Sequence, residues 1–278
     1  MSILTLTLLV ATGAVGAGLL GALTGLGGGL IIVPMLTLVF HVDIRYAIGA
    51  SLVSVIATSS GAAASYVREG FTNVRLGMLL ETGTTIGALI GASIAGFIPT
   101  HWLAALFGVV LLFSAYQSTR PRAEHVLADH PDKWARTLRL DSTYPTAAGM
   151  QTYSVQGVPS GLGLSFMAGV LSALLGIGGG VIKVIAMDHV MKLPFKVSAT
   201  TSNFMIGVTA AASAGIYLHA GYIDPAIAFP VMLGVLAGAL LGSRLLARVN
   251  TRWLRRLFTV VLLVLAIEML YKGIMKTV

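Results

Sequence analysis

The sequence predicts an all-α integral membrane protein of about ten apolar helical segments, in two inverted five-segment repeats with glycine-rich helix breaks near mid-membrane. Three observations carry this: a composition too apolar for water, apolar runs of spanning length, and self-similarity between the two halves of the chain. Of 278 residues, 56% are hydrophobic and only 10% charged, with a mean hydropathy of +0.90. Soluble domains carry about 25% charged residues. A chain this poor in charge cannot cover a globular surface, which excludes soluble enzymes, nucleic-acid-binding domains and disordered segments. The lipid bilayer is therefore the expected environment. The net charge of +8 sits between apolar runs, as expected of Lys and Arg gathered in cytoplasmic loops, so no nucleic-acid partner is expected.

A spanning helix needs about 20 apolar residues. In the first half apolar segments run near 3–24, 29–40, 45–67, 74–97 and 101–118; in the second they run near 160–175, 180–191, 196–219, 225–247 and 253–271. Lipid leaves open backbone groups unsatisfied, so such runs read as helices. No train of alternating ten-residue segments marks a β-barrel. The first 24 residues lack a basic n-region and are too long for a signal-peptide core, so they read as a retained span. The second segment of each half is short, the length of re-entrant or broken helices. Cys is absent, which removes disulfides, thiolate metal sites and Cys nucleophiles. Neither a metal nor an organic cofactor is expected.

Gly25-Leu26-Gly27-Gly28-Gly29 matches Gly176-Ile177-Gly178-Gly179-Gly180, and Gly178 follows Gly27 by 151 residues. The same offset, without a gap, aligns Ser51 with Ser202, Thr58 with Thr209, Tyr66 with Tyr217 and Gly70 with Gly221. It also aligns Gly83, Gly87 and Gly91 with Gly234, Gly238 and Gly242, and Trp102 with Trp253. The chain thus divides into an N-terminal repeat, 1–118, a polar linker, 119–158, and a C-terminal repeat, 159–278. Loop charges orient the repeats. Arg68 and Arg75 flank the third loop of the first half, whose counterpart at 219–224 has neither Lys nor Arg. The uncharged loop at 97–101 corresponds to one rich in Arg, from Arg244 to Arg256. Opposite bias at equivalent loops predicts opposite sides under the positive-inside rule, hence an odd number of crossings per half. Both termini are then outside and the linker is cytoplasmic. Leu138, Leu140, Tyr153 and Val155 fall in alternating stretches around a turn. A small β-hairpin and a solvated tether both fit them.

Runs of glycine cost helix stability, at about 1 kcal/mol each, and non-helical backbone at membrane depth is tolerated only where protein buries it or it lines a cavity. Two such breaks at equivalent positions point to a transporter binding site. Helices restarting at Leu30 and Val181 would aim N–H groups and a positive dipole end at an anion. The competing reading is that the glycines only permit tight crossings. On the site reading, the anion meets Gly27, Gly28 and Gly29 together with Gly178, Gly179 and Gly180. Ser51, Ser202 and Asn203 on the polar third segments add uncharged donors, although Ser and Thr equally bond their own helix backbone. Ionisable residues inside spans are functional candidates. Lys183 would strengthen the anion field, and Glu81 and Asp188 are candidates for proton coupling or for pairing with Lys183. For Glu81 an ion pair with Arg75 or Arg68 is the alternative. The four-residue spacing of Gly83, Gly87 and Gly91 reads as a helix-packing ridge. Gly16, Gly18 and Gly21 spell a dinucleotide-type pattern inside an apolar helix, where no such site forms.

The paired Gly-x-Gly-Gly-Gly motifs, Val33-Pro34 after the first and Ala199-Thr200-Thr201-Ser202-Asn203 after the second, resemble the sulfite exporter TauE/SafE family of membrane permeases over essentially the whole chain. The resemblance implies a secondary transporter of small anions, such as sulfite, sulfoacetate or related organosulfonates, in a bacterial inner membrane, with a homodimer as one assembly. A departure is Ile185 where the first repeat has Pro34, so the two breaks are not expected to be geometrically identical. An anion channel is the alternative. An intramembrane enzyme is weaker, since the sequence has no HExxH motif, no paired Asp cluster and no Ser–His–acid set at membrane depth.

Overall fold

A computed structural model of the chain describes residues 3–24, 28–68, 70–119, 132–146, 149–245 and 251–277. The elements are α1 (Ile3–Thr24), α2 (Gly29–Pro34), α3 (Ile44–Arg68), α4 (Val74–Ala95), α5 (Thr100–Thr119), α6 (Lys133–Thr137), β1 (Ser142–Thr146), β2 (Gly149–Tyr153), α7 (Val158–Leu175), α8 (Gly180–Ile185), α9 (Phe195–His219), α10 (Pro225–Leu245) and α11 (Thr251–Met275). It is an all-α membrane architecture with one two-stranded antiparallel sheet among the described residues. Five helices there are long and apolar enough to cross a bilayer: Val74–Ala95, Thr100–Thr119, Val158–Leu175, Pro225–Gly242 and Arg256–Met275. Large apolar side chains such as Ile86, Val109, Leu233, Leu240 and Ile267 are exposed along them. Those faces suit lipid rather than water. The chain is therefore a multi-pass membrane protein.

Both short segments break in the same way. α2 and α8, each of six residues, run into a π-helical turn, Met35–Val39 and Ala186–Val190. Each turn is followed by a left-handed residue, His41 (φ 54°) and Lys192 (φ 57°), and by one long return bond, Val42 N–H to Leu36 O and Leu193 N–H to Met187 O. Pro34 cannot be the cause, because Ile185 at the matching position has its N–H.

Small residues let the helices touch backbone to backbone. A methyl group on Gly87 would overlap the Phe166 carbonyl, and one on Gly238 would overlap that of Val15. Likewise Gly83 faces Leu162 O and Gly234 faces Ala11 O, while Gly169 abuts Thr84 and Gly18 abuts Val235. Each contact in these pairs recurs 151 residues away with its helices exchanged: α4 lies parallel to α7 as α10 lies parallel to α1. α5 and α11 run antiparallel, Gly108 against Leu270 and Gly273 against Ala105. α3 and α9 occupy the middle.

The described part of the linker, from residue 132 on, is docked rather than solvated. β1 and β2 pair with Ser142 opposite Tyr153, and Leu140, Tyr153 and Val155 pack on Met187, Met191, Leu193 and Leu76. Asn73 caps α4, accepting from Leu76 N–H, and its amide donates to Leu140 O (2.8 Å) and the Tyr153 hydroxyl (2.9 Å). Burial pushes the Tyr153 phenol up to about 12, only partly offset by the donated Asn73 bond.

Candidate functional site

The second glycine break is a true interruption. Gly176, Gly178 and Gly179 take φ of 67°, 72° and 69°, a region side chains rarely enter, so α7 stops at Leu175 and α8 starts at Gly180. Gly176 N–H still bonds Ser172 O (2.8 Å) and Lys183 N–H bonds Gly179 O (3.1 Å). The N–H groups of Gly180 and Val181 therefore stand ahead of the first bond inside α8. The other half closes over the break. Ser51 Oγ donates to Gly176 O (2.7 Å), and Gly29 lies so close that a Cβ there would sit 3.0 Å from the same oxygen. Val55 and Ile206 pack against Gly178. In the first break, Gly25, Leu26 and Gly27 lie outside the described residues. Gly28 is a buried right-handed turn (φ −71°), where its counterpart Gly179 is left-handed. The two breaks differ at the glycines themselves, while Pro34 and Ile185 each end a six-residue helix ahead of the π-helical turn.

One turn into α8, Lys183 is fully buried. Its ammonium lies 3.6 Å from Glu81 Oε2 and donates to Thr209 Oγ1 (2.5 Å), and that hydroxyl donates to Glu81 Oε1 (2.6 Å). Thr84 and Thr85 donate to the two carboxylate oxygens at 2.8 and 3.2 Å. The cluster joins α4, α8 and α9, bringing both repeats together at one buried ion pair. An isolated charge here would carry a large desolvation cost, and pairing with full hydrogen bonding is what makes it tolerable. The alternative partner for Glu81 is corrected in part: Arg75 Nη1 donates to Arg139 O instead, and Lys183 holds the carboxylate.

The remaining candidates divide. Ser202 donates to Gly180 O (3.2 Å), so its hydroxyl and that of Ser51 both hold the break's carbonyls. Asn203 is half-buried on the same turn of α9. Asp188 is buried in the π turn after α8 and faces His189 Nδ1 at 3.2 Å, so it is Glu81 rather than Asp188 that meets Lys183. Ser54 and Thr58 bond their own helix, at Ala50 O and Ser54 O. Thr209 carried no role in the sequence reading. Its match to Thr58 pointed to the position but not to the pair it bridges. Thr84 and Thr85 were not singled out in the sequence, although they are the i+3 and i+4 neighbours of Glu81 on one helix face. No group of three or more His, Asp or Glu that could hold a metal forms among the described residues.

A multi-pass helical protein with a broken, glycine-lined short helix and a charge pair buried at its start belongs to the class of polytopic membrane transporters. The chain belongs to the Sulfite exporter TauE/SafE family, whose profile matches residues 9–269. It is similar to the probable membrane transporter protein YunE of Bacillus subtilis, with 28% identity over 98% of this chain and 99% of that protein. It is similar as well to YdhB of the same organism, 28% identical over 82% and 85% of the two chains. A probable membrane transporter protein of Methanocaldococcus jannaschii is 24% identical over 96% of each. No solved structure matches the chain.

Proposed function

We propose that this membrane transporter is a secondary carrier of a small anion, sulfite or an organosulfonate, working by alternating access in a bacterial inner membrane. Its ten segments form two inverted halves with the linker in the cytoplasm. The recurrence of the same helix contacts at one fixed offset, with helices exchanged, supports this arrangement, and the loop charges orient it. The observation that carries the substrate class is Lys183, a fully buried ammonium one turn from a helix start.

In this reading the anion binds between the halves. Backbone N–H groups at Gly27–Gly29 and Gly178–Gly180 meet it, and Lys183 supplies the opposite charge. Glu81 occupies Lys183 when the site is empty. Protonation of Glu81 removes the competing carboxylate, leaves Thr84, Thr85 and Thr209 to hold the neutral acid, and frees Lys183 for the anion. Anion and proton then travel together, with Asp188 a second carrier nearer the linker. Separation of the halves breaks the Ser51 bond to Gly176 O, and Ser51, Ser202 and Asn203 become donors to the substrate. Proteoliposomes loaded with radiolabelled sulfite or ethanesulfonate test the reading. Flux that accelerates under an imposed pH gradient is expected. Absence of flux under any gradient would refute transport, and gradient-independent flux would make the protein a channel.

A further inference from the structure

About 33 Å along α4 from Asn73, at 1.5 Å per residue, the far end of the molecule holds a cavity of about 260 Å³ lined by Arg45, Ser93, Phe97, Ile216, Tyr217 and Tyr222 among others. Arg45 opens α3. Its Nη2 donates to the carbonyls of Gly96 (3.1 Å) and Ile98 (3.0 Å), while its buried Nε has no acceptor. The guanidinium stacks over the Tyr222 ring at 5.6 Å, and Tyr222 packs edge-on against Tyr46 and Tyr217. The neighbouring carboxylate of Asp43 accepts the Arg45 backbone N–H (2.9 Å), and Asp224 accepts that of Ala226 (2.8 Å). Both acids are engaged as helix caps, and no carboxylate pairs with the guanidinium among the described residues. A cation held only by neutral carbonyls and a ring keeps its full charge for a ligand, with N–H groups to spare.

We infer that this cavity is an anion-binding site separate from the glycine breaks, taking a sulfonate or similar monoanionic oxyanion on a short apolar tail. Arg45 binds the oxyanion, and Ile216, Phe97, Tyr217 and Tyr222 cover the tail. The volume falls below the range of about 300–1,000 Å³ usual for drug-sized ligands, which fits a small solute. The arrangement also recurs: 151 residues on from Arg45, Lys196 lies over Phe71 at 5.1 Å, and Phe71 precedes Tyr222 by the same offset. There, however, Phe71 O is held by Thr200 (3.0 Å), and the adjoining Asn73 is clamped by the linker hairpin. The Arg45 end has no such clamp among the described residues, and there the cavity stands. The ligand class rests on the transport reading; the charge of the site rests on its geometry alone.

The chain has no Cys, so Ser93→Cys places a single thiol on the exposed cavity lining. The full-length variant in phosphatidylcholine nanodiscs is treated with the anionic sulfonatoethyl and the cationic trimethylammonioethyl methanethiosulfonates, and the ratio of the two rates is read. Adding Arg45→Gln should lower the anionic-to-cationic ratio at least about tenfold, as loss of a nearby unit charge requires, whereas Arg45→Lys should largely keep it. Ethanesulfonate should slow the anionic reagent when Arg45 is present. An unchanged ratio in Arg45→Gln, or no protection by ethanesulfonate, overturns the site. Repeating the measurement with phosphatidylglycerol separates a lipid headgroup from a solute: protection by that lipid but not by ethanesulfonate overturns the soluble ligand. None of these readouts needs transport, so a failed flux assay and a failed site are told apart.

Discussion

Glu81→Gln removes the charge but little of the shape at the buried cluster. At 3.6 Å, two unit charges attract by about 5 kcal/mol at an effective dielectric near 20. Removing one partner of a buried pair costs about 3–5 kcal/mol, because the survivor is left uncompensated. The glutamine can keep bonds from Thr209 and Thr84, so a loss of about 3 kcal/mol is expected for Glu81→Gln and slightly more for Lys183→Met. The double variant holds no stranded charge and should recover to within about 1 kcal/mol of the wild type. Unfolding by dodecyl sulfate titration in mixed micelles, followed by the fluorescence of the three Trp residues, measures all four corners of the cycle. Additive losses in the double variant would refute the claim that these residues stabilise each other. Sulfite flux should be lost in both single variants, and restored stability without restored flux in the double variant would separate function from folding.

Thr209→Val removes the hydroxyl bridging Lys183 and Glu81 and should cost about 1.5–3 kcal/mol, measured by the same titration. Gly87→Val drives a side chain into the Phe166 carbonyl and should separate α4 from α7, lowering the melting temperature sharply; Gly96→Ala, with open space around it, should be nearly silent. Gly178→Ala meets both a positive φ and Ile206 at 2.7 Å, so it should destabilise more than Gly221→Ala, which has the positive φ alone and an expected cost of about 1–2 kcal/mol. Asn73→Ala cuts the bonds to Leu140 and Tyr153 and should speed proteolysis of the linker several-fold without abolishing folding.

Composition alone put the chain in a bilayer, because 10% charge leaves no other solvent. The glycine ridges were readable because close helix packing imposes a four-residue spacing on the sequence. The break at Gly176 to Gly179 was readable because adjacent glycines are costly in a helix and the motif occurs twice, although tight crossings offered a competing explanation. The Glu81–Lys183 pair was only one of the options left open, beside Asp188 for Lys183 and Arg75 or Arg68 for Glu81. Its members stand on α4 and α8, over a hundred residues apart, and no periodicity links them; only the folding of one repeat onto the other brings them together. The docking of the hairpin was equally hidden, since the alternation of Leu140, Tyr153 and Val155 shows an apolar face but not Met187 and Met191 beneath it. Nothing in the sequence singled out Arg45, which only the fold surrounds with the carbonyls of Gly96 and Ile98 and the ring of Tyr222.

The buried salt bridge has no twin. Where the duplication would place one, the chain holds Ile32 and Met232. Interchange the halves and the glycine contacts are regenerated, but the charges would fall among hydrocarbon. If the halves rock as proposed, the two directions of that motion meet unequal ground, and any rectification is vested in one acid–base couple rather than in the repeated helix contacts.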